Sequence, residues 1–300
     1  MTKFLLDSGD PKEYKEIQDL ARRNKSEIWG ATTNPTLIAK KLAGKKITQS
    51  KAFELQKKIV LEIVSILPGA VSAEVYANEK TKAREMIKQG REISKWHKRV
   101  VVKLPTSIEG FKARSALRQE NIPVNNTLVF SQEQVFAICL HEKIIQNTTG
   151  PTTDLFPPFI SPFVGRLDDI GIDGMMLIEN SMKIKKEFNI AIWMLEASVR
   201  QVEHIKRGLQ TGTELITCPS KPYNEWFSLS KKELENLNPV SYAKEFKAID
   251  YWNPPKNLLE IDSIKKFMQA LESGKLNIHH PLTEKGITRF ADDWKAIISE

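Results

Sequence analysis

This sequence predicts an α/β fold, a (β/α)8 TIM barrel forming a single domain with extra helices at its C-terminus. Three observations lead there. Eight short apolar runs alternate with helical patterns, the 300 residues suit a barrel, and polar residues recur where the apolar runs end. An open doubly wound sheet is the competing architecture and would put a site at one crevice. Strand count and length favour the barrel.

Taken in order, Phe4-Leu5-Leu6 followed by Asp7 reads as a short buried strand. Asp10 then caps a helix that has Pro11 at its first position and Tyr14, Ile17, Leu20 and Ala21 on its buried face. A second strand, Ile28 to Thr32, leads into Thr33-Asn34-Pro35. The helix from about Ser50 carries Ile59, Ile63 and Leu67 and is stopped by Pro68-Gly69. Ala70 to Val75 is a third strand with Glu74 near its end, and Ala83, Ile87 and Trp96 belong to the next helix.

Val100-Val101-Val102-Lys103-Leu104-Pro105 is the fourth strand and the centre of the reading. Three β-branched residues in a row predict burial on both faces, so Lys103 sits at the edge of an apolar strand. A desolvated lysine can present a neutral amine, which attacks carbonyl carbon. The ordinary reading is a buried stem whose head reaches water. Thr106-Ser107-Ile108-Glu109 has the form of a capping box, as does Ser131-Gln132-Glu133-Gln134. Between them a fifth strand, near Pro123 to Phe130, carries Asn125, Asn126 and Thr127. Asn147 to Pro158 reads as a loop at the opposite face, followed by the strand Phe159-Ile160-Ser161. Ile190 to Glu196 and Leu215 to Cys218 complete the eight, with Ser198 and Arg200 just past the seventh.

Asp7, Asn34, Glu74, Lys103, Asn125, Thr127, Ser161 and Ser198 therefore fall at or near C-terminal strand ends. In a barrel those ends form the face where active sites lie. Each residue alone has a structural reading as a helix entry, a turn or a surface ion pair. Eight converging at one end, one of them this lysine, predict a catalytic ring. The barrel core is expected over 1–220, and 221–300 as a helical extension of the same domain. Within that extension Trp226, Phe227, Tyr251 and Trp252 can cover the barrel rim or a neighbouring subunit.

The net charge of +8 favours anionic partners, yet the lysines are scattered as on solvated helix faces. No nucleic-acid-binding signature is present, and no apolar run approaches a membrane span. A start on a strand-like segment argues against a signal peptide, and Cys139 and Cys218 read as inert buried thiols. A cytoplasmic protein is expected, with phosphorylated small molecules as partners, no nucleic acid and no membrane.

Six segments carry a resemblance: Gly30 to Ile38 (GATTNPTLI), Val71 to Val75 (VSAEV), Val101 to Pro105 (VVKLP), Asn125 to Ser131 (NNTLVFS), Ser161 to Arg166 (SPFVGR) and Ala197 to Arg200 (ASVR). In this order they resemble the transaldolase family, and Pro281 to Gly286 with Phe290 to Trp294 resembles the ending of its shorter members. The resemblance implies a class I aldol mechanism without metal or cofactor, in which Lys103 forms a Schiff base with a ketose phosphate. Asp7 would take the C4 hydroxyl proton, and Glu74 would move protons through a water held by Thr127. Asn34, Asn125 and Ser161 would hold substrate hydroxyls, while Arg166, Arg200 and Ser198 would hold the phosphate. Phe163 and Ser161 favour transfer, because the related fructose-6-phosphate aldolases carry tyrosine and alanine there. A transaldolase of the pentose phosphate pathway is thus expected, with a cleaving aldolase and a non-catalytic phosphosugar-binding barrel as alternatives. Homo-oligomers are usual in the family, and Thr283 to Ile298 is a candidate subunit contact. The Asp7-Ser8-Gly9 stretch, the loop before Phe159 and Lys221 to Glu260 depart from the family pattern.

Among the remaining polar motifs, Asp168-Asp169 reads as support for the next helix and the nearby arginine rather than as a metal pair. His279-His280 is taken as structural or interfacial. His97, His141 and His204 are expected on helices away from the catalytic face.

Overall fold

A computed structural model describes residues 2–42, 44–150 and 155–299. Its centre is a closed barrel of parallel strands in sequence order, β8 pairing with β1. The strands are β1 (Lys3–Asp7), β2 (Ile28–Thr32), β3 (Val71–Glu74), β4 (Val100–Pro105), β5 (Val124–Val129), β6 (Phe159–Pro162), β7 (Trp193–Glu196) and β8 (Leu215–Cys218). The expected runs all form: β2, β4 and β8 keep their expected bounds, β1 and β6 run slightly longer, and β3, β5 and β7 are shorter by one to three residues at an end. Side chains alternate between the two faces of each strand. Val100, Val102 and Leu104 thus join the cluster between sheet and helices, while Val101 packs with Leu5, Phe159, Leu195 and Leu215.

Helices α1 (Pro11–Arg23), α2 (Pro35–Lys40), α3 (Gln49–Ile66), α4 (Ala83–Ser94), α5 (Ile108–Gln119) and α6 (Gln132–Thr149) follow the first five strands. Asp10 and Ser131 cap α1 and α6, and Ser131 with Gln134 completes the expected capping box. The second expected box does not form. Ser107 caps α5 through the Gly110 N–H, Thr106 Oγ1 donates to the Thr127 carbonyl, and Glu109 accepts the Ala83 N–H of α4 instead. A carboxylate that can reach a neighbouring helix N-terminus is not bound to its own.

Then come α7 (Val164–Asp168), α8 (Gly174–Phe188), α9 (Val202–Thr211) and α10 (Ser220–Trp226). The extension adds α11 (Lys231–Asn236), α12 (Pro239–Ala243), α13 (Lys256–Leu259), α14 (Ile264–Glu272) and α15 (Pro281–Lys295). Phe227, Tyr251 and Trp252 settle against outer elements of their own chain, not over the barrel mouth. Phe227 stacks with Tyr223 beside Phe4, Trp252 meets Phe136 of α6, and the Tyr251 hydroxyl bonds Glu187 of α8.

The stretch read as a loop from Asn147 begins as the last turn of α6. Residues 151–154 lie outside the described residues. Phe156 packs edge-on to Trp29 at 5.2 Å and beside Trp193, at the barrel end opposite the catalytic face. Among the described residues, no helix is long and apolar enough to cross a membrane.

Candidate active site

The strand register brings Lys103 beside Glu74 on one side and Asn125 on the other. Lys103 is 3% exposed and Glu74 4%, with Nζ 3.1 Å from Glu74 Oε2 and donating to the Thr33 carbonyl at 3.2 Å. Burial pushes the Glu74 carboxyl above its usual range, against the opposing pull of Lys103. A carboxyl that can hold a proton therefore touches the amine.

Across the barrel mouth, Asp7 accepts a 2.7 Å hydrogen bond from Thr32 Oγ1, which lies 2.8 Å from Thr217 Oγ1. Burial raises the Asp7 carboxyl too, and the Lys103 charge and the Thr32 hydrogen bond only partly offset this. Asp7 is thus suited to accept a proton. The raised folded-state value has a cost: above the ordinary value of 3.8 the unfolded chain holds fewer protons than the folded one, so stability falls as pH rises through the folded value. Asp7→Asn keeps an acceptor for Thr32 and is expected to raise stability at pH 7 by about 0.5–2 kcal/mol. In denaturant melts that gain should vanish near pH 3; a gain that persists there would show that Asp7 is not destabilised by ionisation.

Ser161 Oγ donates to Asn125 Oδ1 at 2.7 Å, and Asn125 Nδ2 donates to Ser72 Oγ at 3.1 Å, so these polar side chains orient one another. Thr127 is buried, and its Oγ1 has no protein partner among the described residues. Asn34 lines the mouth but also caps α2 through the Leu37 N–H at 3.0 Å. Asp7, Asn34, Lys103, Ser161, Phe163, Arg166, Ser198 and Arg200 share one cavity of about 330 Å³. Glu74 is not among its lining residues and lines a second cavity. Asn125 and Thr127 lie behind the first cavity rather than in its wall.

Sequence reasoning missed Thr32, Thr217, Lys40, Arg289 and Phe290, which also line this cavity. Alternation along β2 and β8 points Thr32 and Thr217 inward, a signal the sequence did carry. Nothing local marks Arg289 and Phe290, because α15 reaches the mouth only through tertiary packing. Thr283 Oγ1 donates to the Leu128 carbonyl, and Gly286 lies so close to Leu128 that a Cβ there would sit 2.6 Å from it. The buried face of α15 is thus spent on its own barrel.

Arg166 lies between two rings, its guanidinium carbon 5.3 Å from Phe163 and 5.5 Å from Phe290. Arg200 instead pairs with Asp169 at 3.0 Å and is half exposed. Ser198 takes a left-handed φ of 59°, which turns its carbonyl onto the Gly165 N–H as α7 begins. Asp168 accepts the Gly174 N–H and lies 2.8 Å from His204 Nε2, so it supports α8 as expected, while Asp169 pairs with Arg200 rather than with the adjacent Arg166.

Two histidine placements differ from expectation. His97 lies in the turn before β4, and His204, at the start of α9, accepts the Arg200 N–H and so belongs beside the cavity. His141 is buried on α6, and His280 caps α15. Burial pushes the Cys139 thiol up to about 12, and Cys218 is raised as well, as expected of inert thiols.

The family model described as "Transaldolase/Fructose-6-phosphate aldolase" matches residues 4–300. A probable transaldolase of Dehalococcoides mccartyi is 32% identical over 296 residues, covering 98% of this chain and 99% of that protein. A probable transaldolase of Herpetosiphon aurantiacus is 38% identical over 219 residues, 73% of this chain and 84% of its own. Probable transaldolase 2 of Listeria monocytogenes is 35% identical over 237 residues, 78% and 94% respectively. With its closed barrel, its strand-end polar ring and a match that runs nearly from end to end, the chain belongs to the transaldolase/fructose-6-phosphate aldolase family.

Proposed function

We propose that this protein is a transaldolase that moves a dihydroxyacetone unit from a ketose phosphate, fructose 6-phosphate or sedoheptulose 7-phosphate, to an aldose phosphate in the pentose phosphate pathway. The observation that carries the reading is a buried amine, Lys103, at the floor of a cavity whose mouth is lined by cations, touching the buried carboxyl of Glu74. The neutral amine attacks C2, and Glu74 carries the proton that turns the carbinolamine hydroxyl into water. The resulting protonated imine is an electron sink. Asp7 takes the C4 hydroxyl proton as the C3–C4 bond breaks, and the aldose phosphate departs. The enamine left on Lys103 adds to the incoming aldehyde, and water releases the new ketose. Thr127, whose buried hydroxyl has no partner among the described residues, holds the water that Glu74 works on. Phe163 and Ser161 favour transfer over simple cleavage.

Borohydride treatment with fructose 6-phosphate tests this reading directly. Intact mass and peptide mapping should find a three-carbon adduct on Lys103; a folded protein that binds the sugar phosphate without forming an adduct would be a binding barrel.

Arg166 supports the phosphate site more strongly than Arg200, because it is more deeply buried and held between rings. Arg166→Ala is expected to weaken phosphorylated substrates by about 2–5 kcal/mol. Arg200→Ala should cost less, because a half-exposed guanidinium is screened and already paired. Comparing KM for both variants checks the order, and a larger rise for Arg200→Ala would reverse the assignment.

A further inference from the structure

Glu74 and Lys103 touch each other but line different cavities. Lys103 lines the phosphosugar cavity, whereas Glu74 lies at the inner end of a second one, about 340 Å³, between α3, α4 and α15. Phe53 and Trp294 supply apolar wall, and Gln56, Tyr76 and Gln89 supply polar atoms. Gln56 Nε2 donates to the Glu74 carbonyl at 2.8 Å, and Gln89 Oε1 accepts the Tyr76 N–H at 2.8 Å, so the polar lining is held in place. Exposed residues such as Ser50 and Glu85 form the mouth.

We propose that this second cavity is a port for water and protons serving the Lys103–Glu74 pair, separate from the route taken by substrate. The inference rests on the Schiff-base reading above. Forming the imine from amine and ketone expels one water, and hydrolysing the product imine consumes one. During both steps the phosphosugar occupies the first cavity. Glu74 shuttles a proton from nitrogen to oxygen of the first adduct to give the neutral carbinolamine, then gives its own proton to the hydroxyl, which departs as water. The imine keeps its nitrogen proton and pairs with the ionised carboxylate until hydrolysis reverses the sequence. Glu74 lines the second cavity, which is polar in part and large enough for several waters. Lys103, lining the sugar's cavity, and Glu74, lining a separate and partly polar one, divide the two tasks.

The test plugs the port after folding. Ser50→Cys is treated with benzyl methanethiosulfonate, a modification that reductant removes. Cys139 and Cys218 are buried and should stay unmodified. Glu62→Cys, exposed on α3 and outside the cavity lining, is the labelled control. Quench-flow with borohydride reads the rate of adduct formation, and loss of 18O from C2-labelled fructose 6-phosphate reads water exchange. The plugged protein is expected to slow at least ten-fold in both, to recover with reductant, and to keep its KM for the acceptor aldose phosphate. Full labelling with an unchanged adduct rate would overturn the port while leaving the catalytic reading intact. No adduct in unmodified protein would overturn that reading, and the port with it.

Discussion

Lys103→Met is expected to lose turnover by at least about 10⁴-fold and to accept no borohydride-trapped adduct, while the protein stays folded. Methionine replaces the stem with an unbranched apolar side chain of similar reach, so packing in β4 is kept. The loss is chemical: a thioether cannot form an imine, and without that electron sink no bond to C3 is weakened. The substitution also removes the cation beside Glu74. Burial already raises that carboxyl, so Glu74 can respond by binding a proton rather than by unfolding the barrel. Circular dichroism and a thermal melt should therefore resemble wild type. Turnover within ten-fold of wild type would mean that the nucleophile is another group.

Glu142→Ala should have the largest effect on stability, about 3–5 kcal/mol, which lowers Tm by roughly 5–10 °C in a chain this size. Glu142 is fully buried on α6, accepting from Arg114 at 2.7 Å and Arg118 at 3.1 Å. Arg114 also donates to Asn126 Oδ1 at 2.8 Å and contacts His141 Nδ1. Burial holds His141 well below its ordinary range, so it is neutral, accepting at Nδ1 and donating at Nε2 to Ser115. Removing the carboxylate leaves the Arg114 guanidinium buried without its counter-charge.

The pH dependence has a definite sign. Burial acts to raise the Glu142 carboxyl, but the two arginines outweigh it and hold the group below its usual 4.5. Its stabilisation is present above that value and lost as pH falls through the lower folded one. Urea melts from pH 7 to pH 3 should therefore show the gap between wild type and variant narrowing in acid. A gap independent of pH would mean that packing, not charge, accounts for the loss. Asn126 lies between Asn125 and Thr127 of the candidate site, so this cluster also anchors β5 from outside.

The barrel was legible because its cause is local. Strand runs such as Val100 to Pro105 and caps such as Asp10-Pro11 and Ser131 to Gln134 follow from nearest-neighbour sterics and hydrogen bonding. Strand ends meet at one face in any parallel barrel, so Asp7, Glu74, Lys103, Asn125 and Ser161 could be gathered before any coordinates. The resemblance then assigned their roles.

Register, alternation and distant packing decided the rest. Only the fold could turn Glu109 from its own helix to Ala83, or bring Arg289 and Phe290 over a site nearly two hundred residues upstream. Only the fold could separate Arg166, held between two rings, from Arg200, drawn to Asp169. That Lys103 and Glu74 line different cavities depends on helices α3, α4 and α15 meeting in space. A linear sequence determines which groups stand at strand ends; which side of each group remains open to water is set by everything packed around it.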